Sequence, residues 1–278
     1  MQPGAFVAGR HFRQAVGGLE TKLVDQTDTH RASLAQARAG PGWRAPSPRA
    51  ATAERVISAR HGVSSLASEP WIGQSSTMTI DAKSFPLEGK LTGISDKALQ
   101  EHRDVLYKGY VNQYNTIQGL LEKADASKAN PHYSEWGELK RRETWAHNGT
   151  ILHEWYFENL GGKGTQPEGR ALDLITRDFG SVENFKTQLL AGGKVAPVGW
   201  TVWAWSMLDN KTHCFVLEQH QNHCPIGVIP LLILDEFEHA YFTDYGTKRP
   251  DYLNAFWENI DWKVVEKRTA LVPQSAAK

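Results

Sequence analysis

The chain has 278 residues, 40% of them hydrophobic and ten of them Trp, enough to fill the core of one large domain or two modest ones. Its 31 basic and 31 acidic side chains cancel, which argues against a general nucleic-acid binder that needs a basic face. The longest apolar stretch, Ile226 to Leu234, is interrupted by Gly227 and Pro230 and falls far short of the ~20 residues of a bilayer span, so a soluble, non-membrane protein is expected.

Charge is unevenly spread along the chain. Residues 1–77 carry nine basic and five acidic side chains, a net +4, which leaves −4 for residues 78–278. The first segment is rich in Ala, Gly, Arg and Ser and has no sustained helical or strand period, so it is expected to be a disordered leader. Arg10 and Arg13, with no acid in the first 19 residues, suit a transit peptide and a mitochondrial-matrix address. Glu20, Asp25 and Asp28 spoil that acid-poor pattern. Met78 stands immediately before the first well-patterned sequence, and a start read too early is the favoured account.

From Ile94 to Ala124 apolar residues recur at helical spacing (Leu99, Leu106, Tyr110, Val111, Tyr114, Ile117, Leu121), with Ser95 placed to cap. A second helical segment runs from about Ser134 to Leu160 and stops at Gly161-Gly162. The pair reads as a long α-hairpin. Two shorter helices follow, one ending at Gly180 and one capped by Ser181. The period then changes to two: Val202 to Leu208 and His213 to Glu218 flank the turn Asp209-Asn210-Lys211, and Val228 to Leu234 supplies a third strand. Pro250 starts a helix, and an amphipathic run to Arg268 closes the chain. The expected class is α+β, with an N-terminal α-hairpin domain over 78–165 and a C-terminal domain over 166–278 containing a three-stranded antiparallel sheet. Cys214 and Cys224 cannot build a disulfide framework and match no CxxC knuckle, so a reducing, cytoplasmic setting is the default.

Asp235 ends the third strand and His239 follows four residues later, a spacing that lets a carboxylate and an imidazole converge if the chain turns helical. Alone, such a pair is more often a surface or capping contact. His102 and His153 lie in the two long helices among large apolar neighbours, where a lone histidine is usually a satisfied core residue. Together the four make an N/O set suited to a redox-active first-row metal rather than structural zinc.

The string DEFEHAYFTDYGTKRPDYLNAFWENIDWKVV, Asp235 to Val265, resembles the C-terminal signature of the iron/manganese superoxide dismutases, whose core reads Asp-x-Trp-Glu-His-Ala-Tyr. His102 with YVNQYN eight residues on, LHEWYFENL, FGSVENFK and Val198-Gly199-Trp200 resemble further strings of that family, and the likeness covers about residues 84–268. It implies one iron or manganese ion per subunit held by His102, His153, Asp235 and His239, with water or hydroxide in a fifth place. The activity implied is conversion of superoxide to dioxygen and hydrogen peroxide by alternate reduction and oxidation of the metal. Tyr110 resembles the tyrosine that gates substrate and relays protons, and Trp200 the tryptophan that lines the site. Glu238 resembles the residue that reaches a ligand histidine of the other subunit, which implies a homodimer or a dimer-based tetramer.

Some members place a Gln four residues before the second-helix ligand. Gly149 stands there in this chain, so the partner of the bound solvent must come from the sheet, as His220 or Gln221. His220 aligns without a gap and is preferred, and iron versus manganese stays open. Phe237 replaces the family's Trp, keeping an apolar wall and losing the indole donor. Leu106 and Phe242 replace a His and a Tyr that usually bond across the dimer interface. Two alternatives accompany the dismutase: a non-catalytic scaffold or assembly component on the same fold, and a site retuned for another one-electron or peroxide reaction.

Overall fold

The computed structural model describes residues 79–195 and 198–274, which belong to the compact unit Pro70–Lys278. The leader, its transit-peptide reading and Met78 lie outside the described residues.

Helix α1 (Asp96–Gln100) starts where Ser95 Oγ accepts from the Ala98 amide, and it continues without a break through a π-helical stretch (Glu101–Tyr107) into α2 (Lys108–Leu121). The apolar period alone predicts one long α-helix here, broken at most once. The π stretch widens the helix so that its two buried residues, His102 and Tyr107, both face inward, a common way of aiming functional side chains. Helix α3 (Glu135–Glu158) is capped by Ser134, whose side chain accepts from Gly137 N, and carries Glu135 and Glu138 in its first turn. It packs along α2 and against the sheet, burying Ala146, Gly149, His153, Tyr156 and Phe157 at helical spacing. Next come α4 (Gly169–Phe179), closed by Gly180 at φ +81°, and α5 (Val182–Gly192), opened by Ser181.

The sheet is antiparallel in the order β2-β1-β3, with β1 (Gly199–Ser206) between β2 (Thr212–Glu218) and β3 (Val228–Asp235). Strand β1 begins three residues before the Val202 expected from sequence. All its residues are buried, so the alternation that marks a half-exposed strand is missing there. At its other end Met207 and Leu208, apolar but 66% and 92% exposed, belong to the turn. Trp203 pairs with Leu232 and Ala204 with Pro230, leaving Leu231 as the extra residue of a bulge. Pro230 has no N–H, and it is tolerated because β3 is an edge strand. Helix α6 (Glu238–Tyr245) follows directly. The run expected from Pro250 to Arg268 is two helices, α7 (Arg249–Asn259) and α8 (Trp262–Thr269), because Ile260 is extended and the Asp261 side chain accepts from Lys263 N to start afresh. Among the described residues no helix is long and apolar enough to cross a membrane.

One buried amide ties the helices to the sheet. Asn159, at the end of α3, accepts from Ile233 N at 3.0 Å and donates to Ile233 O at 3.2 Å, so its side chain pairs with β3 as a neighbouring strand would. Arg268 adds bonds to Asn159 Oδ1, Leu231 O and Trp155 O, joining α8 to the same junction. Replacing Asn159 by Leu should strand both backbone groups of Ile233, at roughly 1–3 kcal/mol for each buried group left unpaired. Urea unfolding checks this: the midpoint should fall while the slope stays constant, and an unchanged midpoint would show that the junction is held elsewhere.

Candidate metal centre

Four side chains from four stretches of chain meet below this junction. His102 comes from the π stretch, His153 from α3, Asp235 from the end of β3 and His239 from the first turn of α6. One ligand atom from each lies within 4.8 Å of all the others. Asp235 Oδ2 is 3.0 Å from His102 Nε2, 3.6 Å from His153 Nε2 and 3.3 Å from His239 Nε2, and the last two nitrogens are 3.4 Å apart. Asp235 and His153 are fully buried and His102 nearly so, while the His239 side chain keeps 20% of its surface exposed.

The surroundings orient these lone pairs. Phe237 N donates to Asp235 Oδ1 at 2.9 Å, a local turn that leaves Oδ2 for the histidines, and Tyr252 donates to the Asp235 carbonyl at 2.8 Å. His153 Nδ1 lies 2.5 Å from Gly149 O, one turn back on α3. That nitrogen therefore carries the proton and leaves Nε2 bare. Burial lowers the pKa of both His102 and His153, favouring neutral imidazoles. Burial alone would raise Asp235, yet His239 and His102 beside it hold the carboxyl well below the usual range. His102 Nε2 is buried with no hydrogen-bond partner among the described residues. His153 spends its one N–H on Gly149, so its bare Nε2 faces the Asp235 carboxylate as a lone pair, and a cation between them would remove that repulsion. Three imidazoles and one carboxylate suit a divalent or trivalent first-row metal.

A second ring encloses the cluster. Tyr110 stacks on His153 at 5.1 Å between ring centroids, and its hydroxyl is 2.7 Å from His220 Nε2. His220 is fully buried, Trp200 Nε1 lies 3.0 Å from its Nδ1, and burial brings its pKa down to about 4. Burial, then the charge of Asp235, push Tyr110 up to about 12. Phe237 stacks between His220 and His239, with ring centroids 4.6 Å and 5.1 Å away. Gln221, next to His220, has a buried Oε1 with no partner among the described residues. Glu238 and Phe242 (55%) are exposed on α6, Val105 (65%) is exposed on the π stretch, and Leu106 beside it is half-buried.

Other residues support the site without having been singled out in the sequence. Asn148 Nδ2 donates to the His220 carbonyl at 2.9 Å and holds the end of β2 against α3. Glu154, adjacent to His153, accepts from the Tyr107 hydroxyl at 3.0 Å and pairs with Lys83 Nζ at 2.6 Å. Lys83 N also donates to the Tyr107 oxygen at 2.8 Å, so the clasp joins the chain near residue 83, the π stretch and α3. A charged residue beside a buried ligand on an apolar helix face was the available signal for Glu154. Nothing local announces Asn148.

The family model for iron/manganese superoxide dismutases, C-terminal domain, matches residues 167–268. An iron superoxide dismutase of Aquifex aeolicus is 40% identical over 183 residues, covering 64% of this chain and 85% of that protein. An iron superoxide dismutase of Cupriavidus metallidurans is 38% identical over 183 residues (65% and 91%), and a manganese superoxide dismutase of Haloferax volcanii is 35% identical over 170 residues (61% and 83%). At this identity and coverage the chain belongs to the iron/manganese superoxide dismutase family, metal-dependent oxidoreductases acting on superoxide with iron or manganese.

Proposed function

We propose that His102, His153, Asp235 and His239 are the protein ligands of one iron or manganese ion per subunit and that dismutation takes place beside them. The observation that carries this reading is the convergence of their four ligand atoms within 4.8 Å, with His102 Nε2 otherwise unpartnered. Such a metal supplies one-electron exchange, accepting an electron from one superoxide and returning one to a second. The chain's own residues set the rest. The carboxylate and the neutral imidazoles fix the charge around the ion, and the aromatic ring of Phe237, Trp200, Tyr156 and Phe157 around the histidines keeps the volume dry. The helix pair formed by α1–α2 and α3 acts as a hairpin carrying two ligands, and residues 166–278 supply the other two.

Tyr110 is the group that presents a proton at the site, and His220 is the sheet residue that acts with it. The 2.7 Å contact between them and the full burial of His220 support His220 over Gln221. Glu238 acts across a homodimer interface that also covers Val105, Leu106 and Phe242. Support comes from the exposure of Val105 on the π stretch and of Phe242 on α6, two elements in contact, where Leu106 and Phe242 replace a hydrogen-bonded pair.

Asp235→Ala and His239→Ala should each leave the full chain without metal at neutral pH and abolish superoxide decay. Elemental analysis beside a decay assay checks both, and full metal occupancy in either variant would refute the ligand assignment. Phe242→Asp should weaken the dimer by at least tenfold, since excluding one large apolar side chain from an interface forfeits roughly 1.5–3 kcal/mol. Sedimentation over a concentration series reads this directly, and an unshifted dimer would place the interface elsewhere.

A further inference from the structure

The π stretch carries a register problem that one side chain solves. His102 and Tyr107 stand five residues apart, and both are buried, with 3% and 0% of their surface exposed. In an α-helix five residues end about 140° past a full turn, so the two could not share a face. Leu106, four residues from His102, would turn inward instead. The widened turn removes that conflict. Its five-residue bond, from the Lys108 amide to the Arg103 carbonyl, brings Tyr107 onto the face of His102 and leaves Val105 exposed and Leu106 half-buried.

A π turn is rare and persists where its surroundings hold it. Here they converge on the Tyr107 hydroxyl, which accepts from Lys83 N at 2.8 Å and donates to Glu154 Oε1 at 3.0 Å. Both partners lie outside the helix, and they are tied to each other, Lys83 Nζ to Glu154 Oε2 at 2.6 Å. The Tyr107 ring is seated by Phe85 and Phe157 at 5.7 Å and 6.0 Å between centroids, and Phe157 in turn lies 4.9 Å from the His102 ring. In the α register a leucine would come to this place, and the Lys83 amide and the Glu154 oxygen would lose the hydroxyl that joins them.

We propose that Tyr107 is a positioning residue for His102: its hydroxyl, gripped by Lys83 and Glu154, holds the helix in the π register that keeps the ligand turned inward. Tyr107 acts through the backbone and adds no atom to the cluster of four. The proposal rests on the metal-site reading only for what His102 holds, since the register is set by contacts made without metal.

The test uses the full chain, metal-free and loaded with iron. Tyr107→Phe keeps the ring and removes the hydroxyl. In the metal-free protein, hydrogen exchange at the amides of residues 102–108 should quicken about tenfold, the worth of one buried hydrogen bond. Loaded with iron, the same variant should lose its ion to a chelator roughly tenfold faster than wild type. Glu154→Leu, which cuts the same bond from the other side, should copy both effects, whereas Glu154→Gln, which keeps an acceptor for the hydroxyl, should not. Asn115→Ala is the control: it removes the two bonds, 3.0 Å and 2.9 Å, that hold the main chain of Ile80 to α2 without touching Tyr107, and it should alter neither reading. Unchanged exchange in Tyr107→Phe, or an equal effect in Asn115→Ala, would overturn the proposal. If Tyr107→Phe fails to fold, Glu154→Leu decides, and exchange that quickens no more at 102–108 than along α3 would then overturn it. Iron kept by Asp235→Ala would instead defeat the ligand assignment and leave the exchange measurement standing.

Discussion

Three imidazole nitrogens and a carboxylate oxygen are forced into one dry volume, and most of the surrounding architecture serves to keep them there. Left alone, such a cluster is unfavourable, because each polar atom has lost water and several face one another as lone pairs. Four tethers oppose its relaxation. The Phe237 amide pins one oxygen of Asp235, the Gly149 carbonyl pins the protonated edge of His153, and Asn159 clamps β3 to the end of α3. The Lys83, Tyr107 and Glu154 clasp does the same for the π stretch that carries His102. Ligand geometry here is a property of the junction between helices and sheet, not of any one element.

Gly149 shows how closely these demands interlock. A Cβ built there would sit 2.6 Å from Cδ1 of Tyr110, so the absent side chain is what lets the tyrosine lie flat against His153. The same position holds a Gln in some members of the family, reaching the site from the helix. With glycine there, His220, delivered by Gln219 at φ +57° just beyond the end of β2, reaches Tyr110 from the sheet side. Its carbonyl is then caught by Asn148, one residue before the glycine. The helix gives up a functional side chain and gains room for an aromatic stack and an anchor for the loop.

Much of the local structure was legible because it is written in caps and periods. Ser134, Gly180 and Ser181 stop and start helices by satisfying particular backbone groups, and they do so wherever tertiary packing allows. The start of β1 was misjudged because a strand buried on both faces does not alternate, and its end because Met207 and Leu208 are apolar yet exposed. The π stretch has no signature distinguishable from an α-helical period. The C-terminal break hides in Ile260 and Asp261, whose conformations depend on what they pack against. At the site, ligand-type residues stand out by chemistry, and the structure brings the same four together. Asn148, Asn159 and Glu154 do not stand out, since ordinary polar residues become essential only through partners dozens of positions away.

The departures from the family pattern are physically connected. Phe237 stands where the family has Trp, and it lies nearly parallel to both His220 (25°) and His239 (13°). A ring of that shape passes no hydrogen bond and fixes the plane of each imidazole by contact. Trp200 supplies the indole donor on the other side of His220, at the one nitrogen that must accept. His220 is thus held by stacking from Phe237 just ahead of α6, by the Trp200 indole of β1 and by the hydroxyl of Tyr110 on α2. Phe237 and His220 are therefore packed as one unit, ring on ring, with Tyr110 set edge-on against the imidazole.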